Sequence, residues 1–255
     1  MNTNLVFLLL IGALVGASSG YLGSFMVLKR MSLVGDALSH VALPGIAVAL
    51  TFGINPMLGA LVALAVATVA IWYISENSEV YPEALVGVFF TASLAIGLLL
   101  TPEPELLEAL FGNIDNIGTI DGIFTLIGAV VIFISVFAIS KALHLGIVSE
   151  DLAKSQKINI KKINLIYLLL VGLVVALGVK FLGTLLTGAM VIIPAATAKN
   201  IARNGKSYHI LSVAFGVIAA TAGIVIARYL NVASGPAVVL TAVAFFAGSY
   251  IFKSR

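Results

Sequence analysis

Asp36 and His40 stand four residues apart inside an apolar run, GDALSHVALPGIAVAL, in a 255-residue chain that is 61% hydrophobic and 10% charged. That spacing puts a carboxylate and an imidazole on one face of a helix, one turn apart. A carboxylate at the centre of a bilayer costs about 2.5–3.5 kcal/mol on insertion scales, so such a group faces a bundle interior and marks a polar path. A hard oxygen beside a borderline nitrogen suits a divalent transition metal such as Mn²⁺ or Zn²⁺. The residues alone leave a second reading open, a helix–helix hydrogen-bonded pair that holds no ligand. Pro44 removes the amide that would bond the His40 carbonyl, and Pro194 does the same to Met190. Lipid tolerates such irregular backbone only where it is buried in protein or wetted.

The elements that must position this pair are legible from hydropathy. Mean hydropathy is +1.16, and the charged share is far below the roughly 25% of a soluble domain. Apolar segments near 5–28, 36–54, 56–75, 84–101, 122–143, 164–179, 181–198, 209–229 and 236–252 predict eight or nine helices. Each is near the length of about 20 residues that a bilayer requires. The expected fold is all-α: a polytopic integral membrane bundle of 8–9 transmembrane helices in one domain, 1–255. Continuous runs without period-2 alternation exclude a β-barrel. The segment 181–198 follows its predecessor so closely that it reads as broken or re-entrant. The first twenty residues carry no Lys or Arg, which favours a retained first helix over a cleaved signal.

Charge sets the expected orientation. Lys29 and Arg30, the cluster 141–162, the group Lys199, Arg203 and Lys206, and the C-terminal Lys253 and Arg255 hold 12 of the 14 basic residues. All fall on one side if nine segments span, and the positive-inside rule makes that side cytoplasmic. The loop 76–83 fits this side awkwardly, because it carries Glu76, Glu79 and Glu83. On the opposite side Glu103, Glu105, Glu108, Asp115 and Asp121 form an acidic loop that would draw cations. Gly12, Gly16 and Gly20 repeat every four residues, a pattern for close helix packing.

Several chemistries are excluded. There is no cysteine, hence no thiolate site, disulfide or Cys nucleophile. HExxH does not occur, and Gly16-Ala17-Ser18-Ser19-Gly20 spells GxSxG inside an apolar helical run rather than at the strand-to-helix turn of a nucleophile elbow, so no enzyme is expected. The net charge of +3 is too small to suggest a nucleic-acid partner. Gly205-Lys206-Ser207 mimics the end of a P-loop, but position 200 is Asn where that motif needs Gly. His144 and His209 lie beside polar loops, where hydration at the interface is the expected role. The polar stretch 144–162 contains a short helix capped by Ser149 with Glu150 and Asp151 in its first turn. Such a helix suits docking of a soluble partner, or is a solvated connector.

Three segments, VLKRMSLVGDALSHVALPGIAVA, FGNI and FLGTLLTGAMVIIPAATAKNIA, resemble the permease subunits of metal-ion ABC transporters, which import zinc, manganese or iron(II). The similarity runs over essentially the whole chain. It implies a homodimeric permease in a prokaryotic cell membrane, seated on two cytoplasmic ABC ATPase subunits. An extracytoplasmic metal-binding protein would feed it. Asp36 and His40 would be the intramembrane ligands, doubled across the dimer axis. No permanently bound cofactor is implied; ATP acts through the partner subunit. SEDLAKSQK resembles the family's coupling helix, Asp-x-Glu-x-Ala-x-x-x-Gly. Ser149 stands at the Asp position, Asp151 at the Glu position and Ala153 at the Ala, with Glu150 and Lys154 between and beside them. Lys157 replaces the Gly. The expected function is ATP-driven import of Zn²⁺ or Mn²⁺, or Fe²⁺. The alternative is a stand-alone, proton-coupled carrier using the same Asp–His pair, and a non-transporting scaffold is a third reading.

Overall fold

The computed structural model describes residues 5–100, 110 and 118–251. The described elements are helices: α1 (Leu5–Leu28), α2 (Ser32–Thr51), α3 (Pro56–Asn77), α4 (Pro82–Leu100), α5 (Thr119–Val148), α6 (Glu150–Ser155), α7 (Ile160–Leu182), α8 (Thr184–Ile201), α9 (Gly205–Leu230) and α10 (Ser234–Ile251). Eight of them are long and apolar enough to cross a membrane, and the apolar part of α8, Leu186–Ile201, is shorter. The chain is thus an all-α polytopic membrane bundle with about eight spans. The expected break near 181 falls at Gly183, whose φ of 75° caps α7 and opens α8. Glu103, Glu105, Glu108, Asp115 and the FGNI segment lie outside the described residues.

Hydropathy marked the membrane-buried part of each helix; polar caps extend the helices beyond it. Asn159 accepts from the Lys162 amide at 3.1 Å and starts α7 four residues before its apolar run. Asn204 accepts from the Ser207 amide at 2.8 Å and closes a capping box over α9. Gly205-Lys206-Ser207 is therefore the first turn of a membrane helix, capped through Asn204.

The glycine stripe of α1 packs directly on α9. A side chain at Gly16 would strike the Gly216 carbonyl, and one at Gly20 the Ser212 carbonyl. Residues rising along α1 meet residues falling along α9, so the two run antiparallel. On the other side of the core, α2 lies among α3, α4 and α8. It meets α3 at Gly45 and Gly59, where each would-be Cβ overlaps the other's backbone.

This register gathers the basic loops at one end. Lys29 Nζ donates to Asn164 at the start of α7 at 2.7 Å. His209 at the start of α9 meets His144 at the end of α5 at 3.0 Å. Asn200 near the end of α8 donates to Ser249 near the end of α10 at 2.9 Å. The acidic loop after α3 sits at this same end because Glu76 pairs with Lys161 at 3.0 Å, and the Trp72 indole donates to the Lys161 carbonyl at 2.9 Å. At the opposite end Asn55 donates to Asp121 at 3.2 Å.

Candidate functional site

Asp36 and His40 lie on one side of α2, as their spacing requires. The chain enters α2 through a tight turn. Arg30 adopts φ 61°, its amide donates to Val27 O at 3.3 Å, and the Met31 amide donates to Met26 O at 2.9 Å. This is a Schellman arrangement with a non-glycine residue in the left-handed position. It sets α2 directly against α1, with Gly35 beside Met26 and Gly188.

Two elements flank the pair. On one side α8 approaches so closely that a Cβ on Gly188 would stand 2.5 Å from the Asp36 Cα. One turn further along α2, the Ser39 hydroxyl lies between the Asp36 carbonyl, at 2.6 Å, and the Thr184 carbonyl of α8. On the other side His40 packs edge-on against Phe90 of α4, with ring centres 5.1 Å apart. His40 is 8% exposed, and its Nδ1 is buried without a hydrogen-bond partner among the described residues, as is Thr184 Oγ1. Among the described residues no group of three or more His, Asp, Glu or Cys could hold a metal ion. Among the described residues, one carboxylate and one imidazole, those of Asp36 and His40, stand on this side of α2.

The residues read as a docking segment sit apart from this pair, at the basic end. Ser149 caps α6, accepting from the Leu152 amide at 3.3 Å. Ala153 is fully buried, whereas Glu150, Asp151 and Lys154 are exposed. Lys154 lies 3.8 Å from Glu150 and 3.9 Å from Asp151; pairs this exposed shape the surface and add little stability. Lys157 has φ 58°, and the Ile158 amide donates to Ala153 O at 3.1 Å. Lys157 occupies the left-handed position that ends the helix, a conformation that glycine adopts most readily.

Three features escaped the sequence reading. Val148 and Leu152, 76% and 44% exposed, add an apolar edge to the docking segment; their i, i+4 spacing in a polar stretch was the available signal. His144 and His209 are not hydrated loop residues. His144 Nδ1 donates to the Ser140 carbonyl at 2.8 Å, its Nε2 meets His209 Nε2 at 3.0 Å, and His209 Nδ1 meets Ser24 Oγ at 2.6 Å. Phe25 stacks on His209 with centres 4.6 Å apart. This pair clamps α1, α5 and α9 together. Lys29 is the third: burial pushes its ammonium down to about 8, while the charge of Glu150 on α6 acts to raise it.

Comparison with known proteins agrees with this architecture. A profile of the ABC 3 transport family matches residues 1–253. The chain is 34% identical over 245 residues, 94% of its length, to the manganese import system permease protein ScaB of Streptococcus parasanguinis, covering 88% of that protein. It is 30% identical over 252 residues to the high-affinity zinc uptake system membrane protein ZnuB of Haemophilus influenzae, with 97% of each chain covered. The solved structure of PsaBC from Streptococcus pneumoniae in complex with Fab superposes with a TM-score of 0.83 at 34% identity, covering 95% of this chain and 89% of that one. The chain belongs to the ABC 3 transport family, as a membrane permease.

Proposed function

We propose that this chain is the permease of an ATP-driven importer of a divalent transition metal, Mn²⁺ or Zn²⁺, with Fe²⁺ also compatible, in a bacterial inner membrane. The observation that carries the reading is the Asp36–His40 pair, set on one side of α2 between α4 and α8 with a buried, unpartnered ring nitrogen. The named roles of ScaB and ZnuB, manganese import and zinc uptake, support a metal as cargo.

One carboxylate and one imidazole cannot close a metal's coordination shell. Two copies of the chain, facing each other across a dimer axis, would supply two of each. Four N/O donors satisfy Zn²⁺, and Mn²⁺ completes its shell with water. Such a site holds the ion only in transit, because binding tight enough to close would block release. The imidazole must be neutral to bind a metal, so protonation of His40 opposes uptake. The family supplies the ATPase reading: hydrolysis belongs to separate subunits, which dock on Ser149–Lys154 with Leu152 as an apolar anchor. An extracytoplasmic metal-binding protein delivers the ion at the opposite end. A proton-driven carrier acting alone has no use for that exposed docking edge.

Cellular metal measured by mass spectrometry tests the reading, with the whole transport system carrying wild-type or His40→Ala permease in metal-limited medium. One metal should rise with wild type and fall to background with the variant. A normally inserted variant that accumulates every metal like wild type would make His40 a structural residue.

A further inference from the structure

The turn between α1 and α2 holds a charge that nothing at the metal pair uses. Lys29 immediately precedes the left-handed Arg30, three residues ahead of Ser32, where α2 begins. The turn is stiff: the Lys29 amide donates to Phe25 O at 2.8 Å, and the Val34 amide donates to Met31 O at 3.1 Å. Its side chain leaves the turn and crosses to other elements. Nζ donates to Asn164 Oδ1 at 2.7 Å and lies 5.0 Å from the centre of the Tyr167 ring, both on α7. Across a cavity of about 300 Å³ it shares a lining with Trp72, Glu76, Glu150, Asn164 and Tyr167.

The charges around it sort themselves. Glu76, from the end of α3, is engaged by Lys161 at 3.0 Å. Lys154 lies on α6 beside Glu150, and Arg30 is exposed on the turn itself. Glu150, the first residue of α6, is the carboxylate whose charge acts on Lys29. A half-buried ammonium is therefore held between the docking helix, the start of α7 and the rigid entry to α2. A displacement of α6 changes the field on Lys29, whose ammonium is held by Asn164 and the Tyr167 ring and whose backbone belongs to the turn that leads into α2. Asp36 follows only seven residues later.

We propose that Lys29 is a positioning residue that carries movement of the docking helix α6 to α2, and so to Asp36 and His40. The inference rests on the reading of α6 as the ATPase docking element. Lys29 itself touches neither the ion nor the ATPase. It makes transport per ATP, rather than ATPase binding or metal affinity, depend on its charge.

The complete transporter, purified with its ATPase and reconstituted in vesicles, tests this with Mn²⁺ and Zn²⁺ as cargo. Lys29→Met should bind the ATPase and hydrolyse ATP like wild type but move about tenfold less metal per ATP, within the usual range of coupling between sites. Lys29→Arg should restore the ratio. Metal moved per ATP by wild type should fall as pH rises through about 8, where Lys29 loses its proton, and Lys29→Arg should flatten that fall. The inference is overturned if Lys29→Met keeps the wild-type ratio, if it loses the ATPase, or if Lys29→Arg shows the same pH profile. Two controls separate the underlying readings. Leu152→Asp that keeps its ATPase sinks α6 as the docking element. His40→Ala with wild-type transport sinks the metal pair while the Lys29 ratio still decides its own case.

Discussion

The α2–α8 seam and the α6 segment solve opposite problems. At the seam, backbones approach over Gly35 and Gly188 and Ser39 bonds across to Thr184, while on the far side His40 packs against Phe90 of α4. At α6, six residues stand on a single buried Ala153, with charges and Leu152 turned outward. At the proposed metal pair the identity and position of each side chain would decide the chemistry, whereas on the proposed docking segment a helix of the right shape would suffice, since Ser149 supplies its cap and Lys157 its left-handed end.

The sharpest way to break this contrast is Asp36→Asn, which keeps shape and removes charge. It should abolish metal uptake with the protein still inserted, read as cellular metal against membrane-fraction abundance. Next is Gly188→Ala, which replaces neither proposed ligand. Its methyl must push on the Asp36 backbone, so uptake should fall about 10–100-fold, the range for residues that orient ligands. An unchanged uptake would show that the seam has slack. Leu152→Ala should weaken ATPase binding by about 1–2 kcal/mol, as loss of an apolar anchor does, measured by titrating the ATPase onto solubilised permease. The smallest effects belong to the backbone of α6. Ser149→Ala should destabilise the helix by about 1 kcal/mol, and Lys157→Gly should relieve about 1 kcal/mol of left-handed strain. Both are read as exchange protection of the α6 amides, with uptake changed by no more than about fivefold in Lys157→Gly, the bound that about 1 kcal/mol sets.

Much of the site was visible in one dimension. Asp36 and His40 declare themselves by being polar in an apolar run at helical spacing, and Ser149 by preceding two acids at a helix start. Both signals act within one turn. The Glu76 loop looked misplaced because its partner, Lys161, is 85 positions away. His144 and His209 looked hydrated because the pairing spans 65 residues and is sealed by Ser24, a further 120 positions from His144.

The sequence by itself determined that this chain is a helical membrane bundle, which end is basic, which two residues stand polar in an apolar run, and where the short helix α6 is capped. Those follow from local periodicity, hydropathy and hydrogen bonds within a turn. Only the tertiary structure decided that α8 begins beside Ser39, that two histidines clamp three helices, and that Lys29 reaches from the entry of α2 to α7 and α6. Each of these depends on the antiparallel register of packed helices, which is set by where glycines let backbones meet, and a linear pattern does not encode which glycines meet.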